Sequence, residues 1–152
     1  VPDNPLSHVL SALEGYPGIR TTLATREEEA FGIAAGLYLG GVQSAVMLQS
    51  SGLGNSLNAI ASLVVPYQIT MLILISMRGD AGEWNSAQVP MGRAVRPILE
   101  SMGIPHATVE SAETTAATVE LVARTAFDTR VSGACLLPRR ITVPRAAGKA
   151  NA

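Results

Sequence analysis

Three consecutive carboxylates, Glu27, Glu28 and Glu29, open a segment that is otherwise small and apolar, running Ala30, Phe31, Gly32, Ile33, Ala34, Ala35, Gly36. A carboxylate drawn into a packed interior can have a raised proton affinity, which suits it to acid or base chemistry. Thr25 and Glu28 stand at capping-box spacing, so Glu28 is expected to hold the backbone at the helix start. Glu29 can favour the positive end of the helix electrostatically. Glu27 is left without a structural task. It is either a functional acid or one more charge at a solvated helix start.

Two further places carry candidate chemistry. Ser50, Ser51, Gly52, Leu53, Gly54 and Asn55 form a turn of small residues between an expected strand and an expected helix. Such a turn lets a ligand approach the backbone. It is not a Walker motif, because no Lys-Ser or Lys-Thr follows, and the third glycine of a dinucleotide fingerprint is missing. Alone it also reads as a plain tight turn. Arg78 directly follows the most apolar strand. A guanidinium there can grip a sulfonate, phosphonate or carboxylate with two hydrogen bonds, or pair with Asp80 or Glu83. Cys135 lies in an apolar run and is expected to be a buried, inert thiol. One Cys and two distant His, His8 and His106, give no metal-ligand cluster.

These residues need elements to position them. Apolar spacing predicts helices over 6–13, 25–39, 53–64, 92–102 and 112–129. Short apolar or β-branched runs predict strands over 19–24, 44–49, 70–76, 108–109 and 134–138. Residues 77–89 read as irregular, and 139–152 as a flexible polar tail. Strands alternating with helices imply right-handed crossovers and an open, doubly wound parallel sheet of the α/β class, with helices on both faces. Ligands in such sheets bind beyond the carboxyl ends of the strands. That edge gathers Asn4, Glu27, Gln49 to Asn55 and Arg78.

The chain has 152 residues, is 47% hydrophobic and only 15% charged, and carries a formal charge of −1. A single domain with a substantial core follows. Nothing in the charge calls for nucleic acid or an anionic membrane as partner. The longest apolar runs are too short to span a bilayer. No basic and then apolar leader is visible, so the expected compartment is the cytoplasm. The first residue is Val1 rather than Met, in what reads as a loop, so a preceding piece is expected. High apolar content on a small chain suggests that another subunit covers part of its surface.

Three segments taken in order, residues 26–36, 47–56 and 88–92 (Gln88, Val89, Pro90, Met91, Gly92), resemble the pyrimidine-binding domain of thiamine-diphosphate-dependent 2-oxo acid decarboxylases. The similarity is greatest to the branch acting on sulfopyruvate, with phosphonopyruvate enzymes near it. It covers residues 1–138, and the first elements of the domain are expected to precede them. In that family the catalytic glutamate lies nine residues before a glycine of the first long helix, which is Glu27 before Gly36. The resemblance implies that Glu27 shares a proton with the cofactor's aminopyrimidine ring, and that Ser50, Ser51 and Gly52 flank that ring. It implies that Asn4, Gln49 and Arg78 face a small anionic 2-oxo acid.

The family's Gly-Asp-Gly motif and later Asn, which hold Mg2+ and diphosphate, are missing: Gly79 and Asp80 are followed by Ala81, and residues 105–115 contain no Asn. No metal ligand is therefore expected on this chain. The resemblance implies a separate beta subunit carrying that motif, in a heterotetramer or larger assembly. A phosphonopyruvate decarboxylase subunit, a non-catalytic binding or regulatory subunit, and a flavodoxin-like nucleotide module are the alternatives. Glu27 speaks against the second, and the lack of a phosphate fingerprint against the third.

Overall fold

The computed structural model describes residues 6–142. Asn4 and residues 143–152 of the expected tail lie outside them. Four strands form one parallel sheet: β1 (Ala45–Gln49), β2 (Leu72–Ser76), β3 (His106–Thr108) and β4 (Gly133–Leu137), in the order β1-β2-β4-β3. The helices are α1 (Ser7–Leu13), α2 (Glu27–Leu39), α3 (Ser50–Asn55), α4 (Leu57–Ala59), α5 (Val89–Ser101), α6 (Thr115–Thr129) and the short α7 (Arg139–Thr142). This is the α/β class that the strand-helix alternation predicts.

Side chains alternate across the sheet, and each face finds its own cover. Val46 and Leu48 stand level with Ile73 and Ile75, and these with Ala134 and Leu136. That face packs with Phe31 and Ala34 of α2, Leu53 of α3, and Val95 and Leu99 of α5. On the other face Met47, Leu74 and Leu137 meet Leu6, Val109 and Ile141. There α6 lies so close to β4 that a Cβ on Gly133 would stand 2.9 Å from Val122 Cγ1. The central strands β2 and β4 are buried almost throughout, as parallel strands covered on both faces must be.

Three local expectations are corrected. Residues 19–24 form no strand. They stay irregular, with Ile19 48% and Leu23 76% exposed. β-Branched sequence fits a half-buried pleated surface, and among the described residues no sheet edge pairs with this segment. The cap of α2 falls one residue later than its sequence pattern suggests. Arg26 is the N-cap, and Glu29, not Glu28, reaches back to accept from the Thr25 and Arg26 backbone N–H groups at 2.8 and 3.4 Å. Glu28 instead pairs with Arg26 at 2.9 Å. The helix expected over 53–64 begins directly at Ser50 and breaks at Ser56. The buried Ser56 hydroxyl donates to the Gly52 carbonyl at 2.8 Å, which diverts the backbone ladder. A π-helical turn (Ile60–Val64) then finishes the segment.

The remaining bounds shift by a few residues. α5 starts at Val89, ahead of the expected 92, with Pro90 in its first turn, where the missing N–H costs nothing. Residues 139–142 are helical. Cys135 is fully buried in β4, and burial pushes its thiol up to about 11.

Gly92 is where α5 meets the end of β2. A Cβ there would lie 1.9 Å from the Arg78 carbonyl oxygen, a backbone atom that cannot step aside. Gly32, in the middle of α2, has nothing within 4 Å of its would-be Cβ among the described residues. Gly92→Ala should therefore destabilise the chain by about 2–3 kcal/mol, a fall of about 5–10 °C in Tm. Gly32→Ala should gain about 0.5–1 kcal/mol from helix propensity alone. Thermal denaturation of both variants checks the opposite signs.

Candidate functional site

The sheet register builds the site's floor. Gln49, Ser76 and Leu137 are level at the ends of β1, β2 and β4. The chain leaves all three strands on one edge, and the next residues are Ser50, Met77-Arg78 and Pro138-Arg139. Ser50 joins two of these exits. Its buried hydroxyl accepts from the Arg78 backbone N–H at 3.0 Å and contacts the Ser76 carbonyl at 3.4 Å. This side chain is turned inward, so its role at the site is to hold the turn. Ser51 donates to Gln88 Oε1 at 2.7 Å and ties the turn to the residue before α5.

Glu27 is the first residue of α2 and is half-buried. It lies across Gly52 of α3. A Cβ at Gly52 would stand 2.7 Å from Glu27 Cγ and 3.1 Å from Oε1. Only glycine leaves the carboxylate in that place. Asn55, one turn further along α3, approaches Glu27 Oε2 with its Nδ2 at 3.4 Å. Among the described residues no ion pair to Glu27 is present, so the carboxylate has kept capacity for another hydrogen-bond partner.

On the other side of the turn stands a charged cluster. Arg78 meets Glu83 through Nε at 2.7 Å and Nη2 at 3.0 Å, and its Nη1 reaches Gln49 Oε1 at 3.4 Å. The Glu83 side chain is only 2% exposed. It also accepts from the Gly79 N–H at 3.3 Å and the Asn85 N–H at 3.0 Å. The Arg78 hydrogen bonds above all, with these two backbone donors, hold its carboxyl well below its ordinary 4.5, at about 2. A second guanidinium, Arg139 Nη1, lies 3.8 Å from Glu83 Oε1.

Of the residues chosen from sequence, Gln49, Ser50, Ser51, Gly52 and Arg78 share this edge, with Glu27 against Gly52. Asn4 lies outside the described residues. Arg78 takes the ion-pair alternative with Glu83. The sequence marks Glu83 only as a candidate partner of Arg78 and Asn55 only as the end of the small-residue turn, and it places Arg139 in the polar tail. A signal for Arg139 was present: it stands two residues past the end of β4, as Arg78 stands two past the end of β2. Among the described residues no group of three or more His, Cys, Asp or Glu is placed to hold a metal ion. A groove of about 490 Å³ lined by Tyr38, Val42, Thr70, Phe127 and Arg130 contains none of the residues above. No described helix is long and apolar enough to cross a membrane.

No family model matches the chain. Curated relatives do. The chain is 50% identical over 105 residues to the sulfopyruvate decarboxylase subunit alpha of Methanocaldococcus jannaschii, covering 69% of this chain and 62% of the relative. It is 46% identical over 111 residues to the subunit of the same name in Methanothermobacter thermautotrophicus, covering 73% and 67%. A phosphonopyruvate decarboxylase of Streptomyces viridochromogenes is more distant, at 35% over 101 residues, 66% of this chain and 25% of that protein. An open parallel α/β domain with its polar residues on the carboxyl edge of the sheet thus has decarboxylases as its relatives. The chain belongs to the family of sulfopyruvate decarboxylase alpha subunits. It spans about 62–67% of the length of these alpha-subunit relatives.

The depressed Glu83 carboxyl has a pH consequence with a defined sign. Its contribution to stability is fully present above its unfolded value, near 4.5, and is lost as pH falls towards about 2. Glu83→Gln should be less stable than the native chain at neutral pH by about 3–5 kcal/mol, because Arg78 is left without its buried partner. Its stability should also change less between pH 4.5 and 2. Urea titrations at several pH values measure both effects.

Proposed function

We propose that this chain supplies the glutamate half of a thiamine-diphosphate-dependent decarboxylase that converts sulfopyruvate to sulfoacetaldehyde and carbon dioxide. A separate beta subunit supplies the groups for diphosphate and Mg2+. The observation that carries this reading is Glu27 laid across Gly52, a half-buried carboxylate with spare hydrogen-bonding capacity at the carboxyl edge of a parallel sheet.

The residues fit part of the cofactor. Gly52 has no side chain to fill the space beside Glu27, and the Ser50 to Gly52 backbone is fixed by the Ser50 and Ser51 hydrogen bonds. This part can receive an aminopyrimidine ring. Thiamine diphosphate bound there would supply the electron sink that decarboxylation needs. The Glu27 carboxylate would hold a proton shared with a ring nitrogen, and exclusion of water by a covering subunit would strengthen that bond. Asn55 keeps the carboxylate turned towards α3. Gln49 stands where an acid group of a small 2-oxo acid would be oriented, and Arg78, committed to Glu83 through two of its nitrogens, steadies Gln49 through the third. Mg2+ and the diphosphate are left to the partner. The relatives' name, subunit alpha, supports a further subunit. The cytoplasmic compartment belongs to the same reading and accords with one buried cysteine and no disulfide.

One face of α2 is open and uncharged. Gly32, Ile33, Gly36 and Leu37 are exposed on it, and a Cβ on Gly32 or Gly36 would meet nothing within 4 Å among the described residues. This face, which begins one turn past Glu27, suits the docking of the beta subunit, in a heterotetramer or larger assembly. Phosphonopyruvate is the second substrate to try, because the chain also aligns with an enzyme named for it.

Glu27→Gln in the assembled enzyme should lower kcat by about 10²–10⁴-fold while leaving subunit association intact. Glu28→Gln should stay within about threefold of the native rate, a weak surface ion pair being all it loses. Equal activities of the two variants on sulfopyruvate would refute the assignment. The chain without its partner should show no tight binding of thiamine diphosphate by calorimetry. Gly36→Leu should keep the fold of the isolated chain but reduce recovery of the assembled enzyme at least about tenfold, the equivalent of about 1.4 kcal/mol, as read by size-exclusion chromatography of the mixed subunits.

A further inference from the structure

The geometry points to Arg139 as the cation that receives the tetrahedral oxyanion of the substrate, with Glu83 as the residue that positions it beside Arg78. This rests on the decarboxylase reading above and extends it to a residue and a specificity.

Arg139 leaves the end of β4 on the edge that carries Gln49 and Arg78. Its side chain is only 18% exposed. A guanidinium buried to that extent ordinarily spends its N–H donors on nearby acceptors. Among the described residues Arg139 makes no side-chain hydrogen bond. The nearest carboxylate, Glu83, is 3.8 Å away, beyond hydrogen-bond reach. That carboxylate is committed elsewhere. Its Oε2 accepts from Arg78 Nε and the Gly79 N–H, and its Oε1 from Arg78 Nη2 and the Asn85 N–H. Glu83 therefore attracts Arg139 to the edge without using its donors. The neighbouring Arg140 differs. It is exposed and pairs with Glu110, through both the carboxylate and the backbone carbonyl.

A planar fork of unspent donors, held in place and mostly sheltered from water, matches a sulfonate or phosphonate, whose oxygens accept two parallel hydrogen bonds. The pairing is also selective. Pyruvate carries one anionic group, whereas a substrate with a second oxyanion gains the Arg139 contact in addition. Arg139 thus sets the preference for the doubly anionic 2-oxo acid without taking part in the proton transfer at Glu27.

The test uses the assembled enzyme and inert probes, so that binding is read separately from turnover. Sulfoacetate and phosphonoacetate carry the same pair of anionic groups, and calorimetry gives their Kd. Arg139→Gln should raise the Kd of the preferred probe at least tenfold, while Arg140→Gln leaves it unchanged. In turnover, Arg139→Gln should raise KM for sulfopyruvate at least tenfold, with KM for pyruvate and kcat altered less than threefold. The tighter of the two probes in the native enzyme identifies sulfonate or phosphonate as the group received. An unchanged Kd, or an equal rise in KM for both substrates, overturns the role of Arg139. If Arg139→Gln fails to fold, phenylglyoxal modification of the native enzyme, mapped by mass spectrometry, decides instead. Sulfoacetate or phosphonoacetate should protect Arg139, and no protection by either overturns the proposal. A native enzyme that binds a probe through Arg139 yet decarboxylates neither sulfopyruvate nor phosphonopyruvate sinks the decarboxylase reading and leaves Arg139 as an oxyanion site.

Discussion

One buried hydroxyl holds the site edge together. Ser50 accepts from the backbone N–H of Arg78 and contacts the carbonyl of Ser76, so the exit of β1 is fastened to the exit of β2. The turn that follows then has a fixed position. It delivers Gly52 beneath Glu27, and it sets Arg78 beside Gln49 and Glu83. The Arg78 backbone in turn supports Gly92, so that α5 begins against the same point. Removing the hydroxyl would unfasten the two exits at a cost of about 1 kcal/mol, the usual worth of one such hydrogen bond.

The edge carries two electrostatic regimes side by side. Glu83 is a structural anion. Its four donors keep it ionised far below neutrality, and it has no proton to offer a reaction. Glu27 is held by one long amide contact and by the space over a glycine. A carboxylate with so few partners responds to whatever covers it. The same fold thus saturates one carboxylate with donors and, among the described residues, leaves the other with hydrogen-bonding capacity to spare.

Much of this was legible in the residues. The alternation of apolar runs with helical spacing gave four of the five expected strands, because a parallel sheet buried on both faces leaves a strong signature in runs such as Leu72–Ser76. The segment 19–24 misled, since β-branched composition reports fitness for a sheet and not the presence of a pairing edge. At the start of α2, setting aside the capping and flanking acids singled out Glu27 even though the cap itself belongs to Glu29, because either assignment leaves Glu27 without a backbone to hold. Arg139 was hidden by its neighbours. A polar, small-residue stretch follows it, so its place two residues past a strand end, the same as that of Arg78, gains meaning only once β4 is paired with β2. The break at Ser56 was equally invisible, since a serine within a helix gives no sign of which carbonyl it will bond.

The position of Cys135 makes it a sentinel of global opening. Its thiol sits in β4 between β2 and β3, wholly enclosed, and is held protonated by burial. A thiol reagent needs both access and the thiolate, and this strand denies it both until the sheet separates. Fraying at the chain ends or movement of the site turn would leave it silent. Its labelling rate in native solution therefore clocks whole-sheet rupture, and any ligand or subunit that clamps the folded form should slow that clock.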